Sequence, residues 1–99
     1  MSGYTLTRTA ERDMLNIVGY IAIDNPAAAQ RMKVEIFEAF AALAETPGMG
    51  HNRPDVTARP VRFWAVRGRY SIVYRERRQD IQILRVVGPG RDVGALFAT

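Results

Sequence analysis

Arg59, Arg62, Arg85 and Arg91 are the side chains of this 99-residue sequence best suited to chemistry on a charged substrate. Each guanidinium can hold a phosphate or carboxylate in a planar fork, and together they could neutralise a charged transition state. Phosphodiester cleavage needs more than charge. One group must take the proton of the attacking hydroxyl, and another must protonate the leaving oxygen. Candidates for those two roles are few. His51 is the only histidine and follows Gly50 in a stretch rich in Gly and Pro, the setting of a loop residue rather than a positioned base. Ser2 and Ser71 are the only serines, and neither sits in a nucleophile elbow. Of the tyrosines, Tyr4, Tyr20, Tyr70 and Tyr74, the last two fit strand-core roles equally well. Asp24, Asp55, Asp80 and Asp92 fall at turns and caps, where aspartate commonly bonds its own backbone. Cysteine is absent and no metal-ligand spacing occurs. Gly88-Pro89-Gly90 lacks the lysine of a phosphate loop. No catalytic residue, metal or cofactor is expected.

Charge instead points to binding. Residues 1–50 carry four Lys/Arg against six Asp/Glu, net −2, while residues 51–99 carry ten Arg against four Asp/Glu, net +6. The second half has no Lys at all. An arginine-only positive half favours an anionic partner, by long-range attraction and by bidentate contacts.

Local patterns predict the elements that position these residues. Tyr4 to Arg8 alternates as a short strand. Thr9 is placed to cap a helix with Met14, Ile17, Val18 and Ile21 on one face. Asp24-Asn25-Pro26 ends that helix and begins another, Asn25 as cap and Pro26 at the first position. The second helix runs to about Glu45 with Met32, Ile36, Phe40 and Leu43 on its stripe, so the pair forms a helical hairpin. A loop spans Pro47 to Arg59. Three strands follow, Val61–Val66, Tyr70–Glu76 and Ile81–Val87, joined by short turns and therefore antiparallel. Asp92 can cap a last short helix. The expected fold is α+β, β-α-α-β-β-β-(α), with the hairpin on one face of a twisted, mainly antiparallel sheet and Ile17, Ile21, Met32, Ile36, Phe40, Ile72 and Leu84 in one core. A chain this short makes one domain, residues 1–99. With neither a membrane-length apolar run nor a signal-peptide pattern, it is expected to be cytoplasmic.

If Ile72, Tyr74, Leu84 and Val86 face the helices, then Arg62, Trp64, Val73, Arg75, Ile81, Ile83 and Arg85 face away. Such a half-apolar, half-cationic surface calls for a cover, either the chain's own C-terminus or another protein.

Four segments, taken in order, resemble the ParE-like toxins of the ParE/RelE superfamily. They are Met14-Leu15-Asn16-Ile17-Val18-Gly19-Tyr20-Ile21-Ala22 with Asp24-Asn25-Pro26-Ala27-Ala28-Ala29, and the Pro-x-x-Gly-x-x-Arg loop Pro47-Gly48-Met49-Gly50-His51-Asn52-Arg53-Pro54-Asp55. The others are Val61-Arg62-Phe63-Trp64 with Tyr70–Arg75, and Ile83–Val87 followed by Gly88-Pro89-Gly90-Arg91-Asp92. The resemblance implies the toxin of a type II toxin–antitoxin system, associated with plasmid stabilisation and held in a hetero-oligomer by a cognate acidic antitoxin. Trp64, Arg75, Ile83 and Arg85 are the expected antitoxin contacts, and Arg59, Arg62 and Arg91 the expected target contacts. ParE members are associated with inhibition of DNA gyrase, RelE members with ribosome-dependent cleavage of mRNA. Phe97 stands where RelE-type nucleases carry a tyrosine, and a phenyl ring cannot carry a proton, which favours the gyrase branch. Gly88 stands where many ParE members have histidine, so any role of that histidine is lost.

Overall fold

A computed structural model of the protein describes residues 3–91 and 93–97, Phe97 by its backbone alone. The expected cap at Asp92 and the side chain of Phe97 lie outside the described residues. The elements are β1 (Gly3–Leu6), α1 (Arg8–Asp24), α2 (Pro26–Glu45), β2 (Arg62–Val66), β3 (Tyr70–Glu76) and β4 (Asp80–Val87), with short 3-10 turns at Pro47–Met49 and Val93–Phe97. Strand order in the sheet is β1-β4-β3-β2. β2, β3 and β4 are successive antiparallel neighbours, while β1 lies parallel to β4. This is the α+β order that the sequence implies, with a terminal 3-10 turn in place of a last α-helix.

Thr7, not Thr9, caps α1. Its Oγ1 accepts from the amide of Ala10 at 3.0 Å and donates to the carbonyl of Leu84 at 2.9 Å. The cap thus pins the helix start to β4, and Arg8 becomes the first helical residue instead of the last strand residue. Asn25 caps α2 as expected, its side chain accepting from the Ala28 amide at 3.0 Å.

Both helices pack on one sheet face. Ile36, Phe40, Ile72, Tyr74 and Ile83 are fully buried there, and Ile17, Ile21 and Met32 pack against them partly buried. Leu84 is not in this core, because the β3–β4 register shifts between Val73 and Tyr74. Val73 faces Arg85 while Tyr74 faces Ile83, so Leu84 is unopposed. That bulge reverses the alternation. Ile81 and Ile83 turn inward beside Tyr4 and Leu6 of β1, while Leu84 turns outward. Trp64 also belongs to the helix side, since it pairs with Ile72.

The outer face has its own small core of Val61, Phe63, Val73 and Val87, against which Val56, Leu84, Val93 and Leu96 pack. Of the two expected covers, the chain's own C-terminal turn supplies part of this one, and the loop before β2 adds a cover that was not expected. Among the described residues no helix is long and apolar enough to cross a membrane.

Candidate docking surfaces

The sheet separates the residues expected to meet an antitoxin. Ile83 is fully buried and has no surface to offer a partner. Trp64 is half-buried on the helix side, its ring stacked 6.4 Å from that of His51. Arg75 is exposed on the outer face and donates to Gln82 Oε1 at 2.8 Å. Arg85 turns to the helices instead. It donates to the Asp13 carboxylate from Nε at 2.8 Å and from Nη2 at 3.1 Å, while the Val86 amide donates to the same carboxylate at 2.9 Å. The bond to Asp13 raises the Arg85 pKa, outweighing the opposing effect of burial. The sequence-level grouping assumed unbroken alternation through β4, and the bulge removes that assumption.

The three expected target contacts are also dispersed. Arg62 is a clasp: Nε donates to Glu76 Oε2 at 2.9 Å and Nη1 to the Gly50 carbonyl at 2.9 Å. Arg59 is exposed in the loop before β2. Arg91 is exposed beyond the end of β4, at the opposite end of the sheet from Arg62.

An apolar groove on the helical hairpin was not anticipated. About 690 Å³ in volume, it is lined by Leu6, Met14, Leu15, Val18, Gly19 and Phe37, with Glu11 and Lys33 at its edges. Leu15 is 75% exposed. Exposed apolar side chains continue from it along both helices, as Ile23 on α1 and Val34 on α2. The sequence holds a signal for this surface. Besides its core-facing stripe, α1 has a second one at Leu15, Gly19 and Ile23, spaced four residues apart, and a helix apolar on more than one face requires more than one neighbour. A Cβ at Gly19 would meet no atom within 4 Å, so packing within the chain does not require glycine. Mid-helix glycine costs about 1 kcal/mol relative to alanine. What it provides is bare backbone on the groove wall, which lets another chain approach closely.

Two groups suited to proton transfer, His51 and Tyr74, are exposed or already engaged. His51 is exposed and pairs by its backbone with Phe63 at the sheet edge. The Tyr74 hydroxyl accepts from the Gly50 amide and donates to the Pro47 carbonyl, and burial raises its pKa. Among the described residues no three His, Cys, Asp or Glu side chains gather as a metal site would require.

Residues 4–93 match the family described as ParE toxin of type II toxin-antitoxin system, parDE. A solved structure described as the chromosomal ParDE TA system from P. aeruginosa is similar at a TM-score of 0.76 and 25% sequence identity, covering 90% of this chain and 97% of that one. No curated protein matches the chain.

Proposed function

The chain belongs to the ParE toxin family of type II toxin–antitoxin systems, and we propose on that basis that it poisons DNA gyrase by direct binding and is neutralised by an antitoxin seated on the helical hairpin. The apolar groove between Leu15, Val18, Gly19 and Phe37 carries the second part. An amphipathic antitoxin helix laid there would bury the exposed stripe, and Gly19 would let it come close. Arg75, exposed on the outer sheet face, offers an acidic antitoxin tail a further contact.

Binding rather than cleavage is supported by the state of the polar groups. The Arg85 guanidinium is occupied by Asp13, and the Tyr74 hydroxyl is occupied by the Pro47–Gly50 loop. Arginine stays protonated at physiological pH and makes a poor base. The deciding experiment sets a gyrase supercoiling assay beside an RNA-cleavage assay on translating ribosomes, each with and without the cognate antitoxin. Stalled supercoiling with intact RNA, relieved by antitoxin, is the expected result. Cut mRNA with unaffected gyrase would move the chain to the nuclease branch.

A further inference from the structure

The flank of α1 opposite the groove borders a second depression, about 750 Å³, between the C-terminal half of α1, the start of α2 and the sheet end where β3 begins and β4 finishes. Its floor is apolar: Ile17, Ile21, Met32, Tyr70 and Val86. Three long side chains stand on its rim. Tyr20 rises from α1, 79% exposed, where it adds nothing to the chain's own core. Arg69 and Arg91 stand on the sheet side, both exposed.

This cleft carries charge that the chain itself does not neutralise, as Arg75 and Arg78 do elsewhere on the surface. Arg53, Arg62, Arg67, Arg77 and Arg85 each hold a carboxylate. Among the described residues Arg69 and Arg91 hold none. Among the described residues two carboxylates line the cleft. Asp13 is saturated by Arg85 and the Val86 amide, and Asp24 lies at the hairpin turn. Among the described residues, two open guanidinium groups therefore stand against one open carboxylate, above an apolar floor.

We propose that this cleft is where the toxin grips its target, and that the target enters as a protein segment carrying a carboxylate beside an apolar or aromatic side chain. The carboxylate would sit between Arg69 and Arg91, and the apolar neighbour on the Ile17–Ile21–Val86 floor with Tyr20 closing over it. Tyrosine and arginine are the side chains that most often dominate interfaces, because each adds large contact area and a directed polar end. The proposal rests on the reading of the chain as a toxin, but not on gyrase being its target.

The test uses full-length toxin with Tyr20→Ala, and separately with Arg69→Glu and Arg91→Glu together. All three sites are exposed, so thermal unfolding should match the parent. Growth arrest on induction reads target engagement, and calorimetry with the cognate antitoxin reads the groove. Both variants should need about tenfold or more toxin for equal arrest, while antitoxin affinity stays within about threefold. Undiminished arrest would overturn the proposal, as would an equal loss of antitoxin affinity, which would make the cleft the antitoxin's seat. Should the parent arrest growth without affecting purified gyrase, only the gyrase reading falls, and the variants still decide the cleft. A parent that arrests nothing would overturn both.

Discussion

The hydroxyl of Tyr74, in the middle of β3, lies 2.9 Å from the amide nitrogen of Gly50, which donates to it. The same hydroxyl donates to the Pro47 carbonyl at 2.6 Å. A Cβ at position 50 would stand 2.5 Å from that oxygen, closer than real contacts allow. The Pro-x-x-Gly spacing thus has a packing cause: the turn at Pro47–Met49 presents one carbonyl and one amide to a buried phenol, and only glycine leaves room for it. Arg62 closes the latch from the other side through the Gly50 carbonyl.

Tyr74→Phe should destabilise the protein by about 1–3 kcal/mol, since it leaves a buried amide unpaired. Gly50→Ala should cost about 1–3 kcal/mol by overpacking. Both changes break one contact, so the double variant should lose less than the two singles combined. Urea unfolding of the four proteins measures this, and strict additivity would contradict the latch.

Phe40 is fully buried between the hairpin and the sheet, its ring 5.3 Å from those of both Tyr4 and Phe37. Phe40→Ala should cost about 3–5 kcal/mol and Ile36→Ala about 2–5 kcal/mol. Leu84→Ala, on the partly buried outer cluster, should cost less than either. Chemical denaturation ranks the three, and a Leu84 loss as large as that of Phe40 would restore it to the main core.

Asp13 ties α1 to β4 by accepting from Arg85 twice and from the Val86 amide once. Asp13→Ala leaves a partly buried guanidinium and an amide without their acceptor and should cost about 1–3 kcal/mol. Removing both partners, as Asp13→Ala with Arg85→Met, should recover part of that loss. A double variant no more stable than Asp13→Ala would mean that the amide, not the ion pair, carries the effect.

Leu15→Glu should leave the unfolding temperature almost unchanged, because the side chain already faces solvent. It should weaken antitoxin binding about tenfold or more by placing a charge in the apolar interface. Gly19→Ala should separate folding from binding more sharply. It should stabilise the isolated toxin by up to about 1 kcal/mol, yet weaken the complex. Calorimetry beside thermal melts reads both, and a Gly19→Ala toxin that binds as tightly as the parent would move the antitoxin off this wall.

Acid should weaken the fold in a defined window. Hydrogen bonds from Arg67, Arg53 and Arg77 hold the carboxyls of Glu35, Asp55 and Asp80 below their ordinary values. A folded pKa below the unfolded one contributes stability above the unfolded value, about 4 for carboxylates, which is lost as pH falls through the folded value. All three are surface pairs, so each effect is small and weakens with salt. The melting temperature should fall below about pH 4, and Glu35→Gln should flatten part of that slope. An unchanged slope in Glu35→Gln would remove the Arg67 pair from the account.

The sequence by itself determined the element order, the α2 cap at Asn25, the antiparallel β2–β3–β4 run and most of the core, because caps, turns and helical stripes are local. It also contained the Leu15–Gly19–Ile23 stripe, which the structure leaves exposed, and the Pro47–Gly50 loop, whose packing cause is legible only with Tyr74 in place. Tertiary structure alone decided which face each β4 residue takes. A single unopposed residue, Leu84, leaves no mark on hydropathy when both faces of a strand are apolar, yet it sends Ile83 into the core and Leu84 out. Arg85, turned toward α1, is tied to Asp13, 72 residues away. The candidate docking surfaces belong to the same category: they are assembled from separate elements, and their exposure depends on what the rest of the chain leaves uncovered.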